Sequence, residues 1–170
     1  SVDMMHWMMQ KPPLSAIGSG GRTSKSPVGD NWDYLGVLYQ YANDVPVTFT
    51  SKRYNDGAGE QDKHQIVELY GTDGRLHTKY AGRCMILGRN PYKGGKTTTL
   101  YRDGAVANIA LFHTAVTTGD YSNSTVEYGV ESNLIAIMGR TAGYEKRLVT
   151  WDEILKSDDR MDLKLDGLKA

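Results

Sequence analysis

Residues Asp33 to Tyr41 place bulky side chains on both faces of one extended segment: Leu35, Val37, Tyr39 and Tyr41 fall on one side, Tyr34 and Leu38 on the other. A sheet that is solvated on one side needs apolar residues on one face only. Two partly apolar faces call for two coverings. One face is therefore expected to pack on helices, and the other to meet a second sheet or another subunit, with Tyr39 on the face that joins subunits.

Alternation of this kind runs through much of the first hundred residues. Leu14 to Ile17 reads as a short strand entering a loop at Gly18-Ser19-Gly20-Gly21. Val45 to Tyr54 pairs with Asp33 to Tyr41 through a turn at Asn43-Asp44. Gln65 to Tyr70 and Arg75 to Tyr80 flank Gly71-Thr72-Asp73-Gly74, whose Asp-Gly suits a tight turn. Arg83 to Leu87 and Thr97 to Tyr101 read as further strands, with Arg89-Asn90-Pro91-Tyr92-Lys93 as a basic loop between them.

After that the period changes from two to about 3.6. Val106, Ile109, Ala110, His113 and Val116 suit an amphipathic helix ending near Gly119; Val126, Val130, Leu134, Ile137 and Met138 suit another begun at Thr125. Thr150-Trp151-Asp152-Glu153 has the form of a capping box opening a last helix. At the other end, Met4, Met5, Met8 and Met9 with Trp7 form an apolar helical stripe stopped by Pro12-Pro13. Those first residues read as the middle of a helix, so the chain is expected to be part of a longer protein.

Bulk composition excludes several functions. Lys plus Arg and Asp plus Glu both total 20, so no overall field draws the chain to nucleic acid or an anionic membrane. Cys84 is the only cysteine, which rules out an internal disulfide and a cysteine metal cage, and it is expected to be a small buried hydrophobe. No run approaches the roughly 18 apolar residues of a membrane span, and the start lacks the order of a signal peptide. With 170 residues, 39% of them hydrophobic, one domain over residues 1–170 is expected.

The tempting motifs fail on context. Gly18-Ser19-Gly20-Gly21-Arg22 lacks the third glycine, the following helix and the acidic residue of a dinucleotide fingerprint. Gly94-Gly95-Lys96-Thr97 resembles the end of a phosphate loop, but Asn90 stands where the leading glycine belongs. His6, His64, His77 and His113 show no zinc-site spacing, so no metal is expected. Asp152-Glu153 and Asp158-Asp159 read as capping or solvated carboxylates, and Asn123-Ser124-Thr125 is a sequon that matters only in a secretory setting.

Taken together, His6-Trp7 after Val2-Asp3, Gly29-Asp30-Asn31-Trp32-Asp33, Val47-Thr48-Phe49-Thr50-Ser51, Tyr70-Gly71-Thr72-Asp73-Gly74, Gly139-Arg140-Thr141-Ala142 and Val149-Thr150-Trp151-Asp152-Glu153 resemble the glucose-fructose oxidoreductase, inositol dehydrogenase and MocA family. The resemblance implies an α+β carboxy-terminal domain of the dihydrodipicolinate reductase-like type: an open-faced, mostly antiparallel sheet with helices on one face. It implies NAD or NADP on an amino-terminal Rossmann domain outside this chain, and no cofactor within it. The family's catalytic signature places an Asp three residues ahead of a His, often followed by two residues and another Asp. Asp3 matches that trailing Asp, so the catalytic His is expected immediately before Ser1 and no catalytic residue lies in the chain.

This half would then shape a sugar pocket and join like subunits through its sheet. Lys52, Arg53, Tyr92, His113 and Asn123, polar groups near strand ends and helix starts, are the candidates to bind a sugar-like substrate. Two alternatives stay open: a non-enzymatic carbohydrate-binding or dimerisation module, and part of an NAD-dependent glycosidase.

Overall fold

The computed structural model describes residues 2–23, 31–53, 65–80, 82–96, 99–122 and 125–160. In chain order they form α1 (Val2–Met9), β1 (Ser15–Gly21), β2 (Tyr34–Gln40), β3 (Pro46–Lys52), β4 (Ile66–Gly71), β5 (Gly74–Lys79), β6 (Arg83–Gly88), β7 (Tyr92–Lys96), α2 (Leu100–Thr118), α3 (Thr125–Glu145), β8 (Val149–Thr150) and α4 (Trp151–Lys156). The class is α+β, with the strands in two antiparallel four-stranded sheets, β3-β2-β1-β8 and β4-β5-β6-β7. The chain divides into two compact units: Ser1–Pro12 with Arg53–Asn133, and Pro13–Lys52 with Leu134–Ala170.

In the second unit the register decides what is buried. Ala16 pairs with Tyr39 and Tyr39 with Val47; Gly18 pairs with Val37 and Val37 with Phe49, so these residues share one face. Ala16, Val37, Tyr39 and Tyr41 are buried on it, and Ile135, Met138 and Ala142 of α3 are buried in the same unit. Ile135, Met138, Gly139, Ala142 and Gly143 recur at helical spacing and make the packed stripe of α3. Two glycines in the stripe let helix and sheet close up: a β-carbon on Gly139 would collide with the Tyr39 hydroxyl, and one on Gly143 with Leu35.

Two expectations are corrected here. Tyr39 is not on an exposed, subunit-joining face; it is 1% exposed, while Ile17, Tyr34 and Leu38 lie uncovered on the opposite face. Of the apolar positions expected to bury α3, Met138 is buried but Val126, Val130 and Ile137 are exposed; the buried stripe of the helix runs instead through Ile135, Gly139, Ala142 and Gly143.

At the far end of the second unit, Thr150 caps α4, its hydroxyl accepting from the Glu153 amide at 3.2 Å. The Glu153 carboxylate does not close the box. Arg147 takes both its oxygens, Nη1 at 3.0 Å and Nη2 at 2.5 Å, because a forked, charge-assisted pair is stronger than a bond to a neutral amide. Between β2 and β3, Asn43 and Asp44 adopt left-handed backbone, which their short polar side chains tolerate.

The first unit is built differently. Its sheet turns from β4 to β5 at Thr72-Asp73, and Gly74 faces Gly88 across the ladder so closely that a β-carbon on either would strike the opposite backbone. Thr97 and Thr98 lie outside the described residues, and Leu100 and Tyr101 are not strand but open α2, while β7 spans Tyr92–Lys96. The basic loop is correspondingly shorter, since Tyr92 and Lys93 belong to β7. Thr99 turns the chain into the helix, its carbonyl accepting from the Asp103 amide at 2.9 Å and its hydroxyl bonding the Asp103 carboxylate. Gly18 to Gly21 likewise lie within β1 rather than in a loop, and Cys84 is exposed rather than buried.

Among its described residues, Met5, His6, Thr78 and Ser132 are the buried ones in the first unit. No side chain of α2 is buried, though Val106, Ile109, Leu111, Phe112 and Val116 are all large and apolar.

Candidate functional site

Three of the four buried residues described in the first unit are polar, and two of them, His6 and Ser132, belong to one cluster. His6 is 2% exposed. Its Nε2 lies 2.9 Å from Glu131 Oε2, and its ring stacks on Tyr128 with centroids 4.7 Å apart and planes 19° from parallel. The other ring nitrogen, Nδ1, is buried with no hydrogen-bond partner among the described residues. One turn earlier on α1, the Asp3 carbonyl accepts from the Tyr128 hydroxyl at 2.5 Å, and Asp3 Oδ1 accepts from the Ser132 hydroxyl at 3.1 Å.

Local structure explains the arrangement. Asp3 and His6 are three residues apart on α1, and Tyr128, Glu131 and Ser132 are three and four apart on α3, so each set forms a single polar row. Burial, and then the neighbouring Asp3 carboxylate, push the Tyr128 hydroxyl above its ordinary range, so it stays a neutral donor. The opposite side of α1 rests on the sheet through the Thr78 hydroxyl and Met4 Sδ, 3.6 Å apart. Chemically the cluster is an imidazole paired with a carboxylate, beside two hydroxyls that bond Asp3. It can orient a helix.

A second polar group lies on the sheet of the same unit. Glu68 stands opposite His77 across the β4–β5 ladder, with His77 Nδ1 2.9 Å from its Oε1 and the Tyr70 hydroxyl donating to its Oε2 at 2.9 Å. Hydrogen bonding to His77 and then Tyr70 holds the Glu68 carboxyl below its ordinary value. These groups are exposed or half-buried and lie side by side on paired strands, so they read as a cross-strand network.

The substrate candidates from the sequence fall on separate elements. Lys52 ends β3 opposite Tyr34, and exposed Arg53 follows it. Tyr92 opens β7 opposite Ile86 and is exposed; His113 is exposed midway along α2. Asn123 lies outside the described residues. Asp3, which the resemblance singled out, belongs to the polar cluster. Sequence reasoning passed over His6, Tyr128, Glu131 and Ser132; the available signal was the two matched polar rows, visible once α1 and α3 are both read as helices.

No protein-family model matches the sequence, and a search of the curated proteins gives no match. Solved structures do match in fold. An oxidoreductase from Agrobacterium radiobacter, solved in complex with NAD+, L-tartaric acid and magnesium, superposes with a TM-score of 0.66 at 11% identity, over 88% of this chain and 46% of its own. An oxidoreductase from Thermotoga maritima gives 0.55 at 16% identity, over 90% of this chain and 42% of its own. A myo-inositol 2-dehydrogenase from Lactobacillus plantarum gives 0.53 at 14% identity, over 88% and 45%. The chain thus spans less than half the length of the structures it matches. Its fold is that of one portion of oxidoreductases that include an inositol dehydrogenase, the class its sequence resembles.

Proposed function

We propose that this chain is the substrate-side and assembly half of an NAD(P)-dependent sugar or inositol oxidoreductase, and that a nucleotide-binding half preceding it completes the enzyme. The observation that carries the reading is the coverage: nearly all of this chain corresponds to less than half of each oxidoreductase it matches. The thin core of the first unit supports it. A unit that buries one apolar side chain, Met5, among its described residues while α2 exposes Phe112 at 70% and Leu111 at 72% gains little from burial on its own, and is expected to be covered by something larger.

In the complete enzyme a bound nicotinamide would supply hydride chemistry at a ring carbon of the substrate. A histidine immediately ahead of Ser1 moves the hydroxyl proton. This chain's residues bind and orient the substrate, with Lys52, Arg53, Tyr92, His113 and Asn123 as the proposed contacts. Like subunits join through the uncovered sheet face that carries Ile17, Tyr34 and Leu38.

Titration calorimetry tests the division of labour. The chain alone is expected to release no heat on addition of NAD+ or NADP+, and the longer protein encoded with the upstream sequence is expected to bind one of them. Micromolar affinity in this chain alone would overturn the reading, as would an upstream segment that confers no binding.

A further inference from the structure

We infer that Tyr128, Glu131 and Ser132 are positioning residues that seat α1 on α3 and so hold in register the catalytic group immediately ahead of α1, an inference resting on the function proposed above. α1 has eight residues, too few to be a stable helix by itself. Its half-buried and buried apolar residues include Met4, Met5, Met8 and Met9, flexible thioether chains that fill space without fixing an angle. Packing alone leaves such a helix free to roll or slide.

Four directional contacts remove that freedom. Asp3 is held through both its carbonyl and its carboxylate, and His6 through both its Nε2 and its ring face. All come from one row of α3. A slip by one residue would turn α1 by about 100° and shift it by about 1.5 Å, breaking every one of them. It would carry the start of the helix, and whatever group precedes it, by more than the roughly 1 Å that costs a reaction about 100-fold.

The composition of the seat points the same way. The seat includes a buried imidazole whose Nδ1 has no hydrogen-bond partner among the described residues, a cost that an apolar side chain would not carry. A polar pair with a buried member can hold a helix in a single register, as a lone polar residue does in a coiled coil.

The test uses the longer protein, with NAD+ as cofactor and a panel of inositols and hexoses. Wild-type turnover, and its loss on replacing the upstream histidine, report on the proposed function. Ser132→Ala and Tyr128→Phe report on the seat: kcat is expected to fall about 10- to 100-fold, while KM, NAD+ affinity and melting temperature stay close to wild type. Ser132→Thr, which keeps the hydroxyl, is expected to restore kcat. Unchanged kcat in both variants would overturn the inference, as would a loss that tracks melting temperature and is not rescued by threonine. A wild type without nicotinamide-dependent turnover would remove the proposed function and the inference together.

Discussion

The Tyr39 hydroxyl donates to the Ile135 carbonyl at 3.2 Å, and that same hydroxyl occupies the place a β-carbon on Gly139 would need. One residue of β2 therefore both bonds to α3 and sets how near α3 can come. Burial, with Tyr41 beside it, pushes the Tyr39 hydroxyl far above its ordinary range, so it acts as a neutral donor. Gly139→Ala is expected to destabilise the second unit by about 1–3 kcal/mol, the usual cost of overpacking. Tyr39→Phe is expected to cost about 1 kcal/mol for the lost hydrogen bond. Because Tyr39→Phe removes the atom the alanine methyl would strike, the double variant should cost less than the two combined. Urea unfolding read at Trp32 and Trp151 in a Trp7→Phe background would check this; strictly additive losses would refute it.

Much of the second unit was legible because its signals are local. The Asn43-Asp44 turn, the alternation in β2 and β3 and the Thr150 cap each depend on a few neighbouring residues. The tight stripe of α3 was not legible, since Gly139, Ala142 and Gly143 carry no hydrophobic signal of their own; what makes them core is the presence of Tyr39 and Leu35 opposite. Thr97 to Tyr101 misled for a different reason. Threonine favours strands, but Thr99 and Asp103 bond to each other and open a helix, and that local bond outweighs the propensity. The polar cluster was hidden because half of it lies at residues 128–132 and half at residues 3–6, and only the fold brings them together.

The cross-strand network on β4 and β5 gives a prediction in pH. Glu68 is lowered from an ordinary 4.5, first by the hydrogen bond to His77, then by that from Tyr70, with Arg75 adding from 3.9 Å. A carboxyl held lower in the fold than in the unfolded chain favours the fold above the unfolded value, and that contribution is lost as pH falls through the folded one. Carbon-detected NMR should show Glu68 titrating below 4.5, and His77→Gln should move its midpoint upward. A midpoint unmoved by His77→Gln would show that the ladder pair does not hold the charge.

The uncovered helix α2 predicts uneven dynamics. With none of its side chains buried, little beyond its own hydrogen bonds opposes opening, whereas the second half of α3 carries Ile135, Met138 and Ala142 at 0% exposure. In hydrogen exchange on this chain, amides of Leu100–Thr118 are expected to exchange about 100-fold or more faster than those of residues 135–142. In the longer protein the α2 amides should gain protection. Equal protection of the two helices in the isolated chain would mean that α2 is already covered.

At Arg147 the shape of the side chain matters more than its charge. Arg147 donates from Nε to Glu145 at 2.6 Å, from Nη1 to the Leu148 carbonyl at 3.0 Å, and from both terminal nitrogens to Glu153, tying the end of α3 to the first turn of α4. The pairing raises the Arg147 guanidinium and lowers the Glu153 carboxyl, each chiefly through their shared hydrogen bonds. A lysine would keep the positive charge but offers one nitrogen where four bonds radiate from a planar fork. If charge alone mattered, Arg147→Lys would leave α4 intact. Because the fork is what joins the three partners, amide exchange at Ile154 to Ser157 is expected to speed up in Arg147→Lys almost as much as in Arg147→Ala. Wild-type exchange in the lysine variant would show that attraction to Glu153, and not the shape of the guanidinium, holds the helix in place.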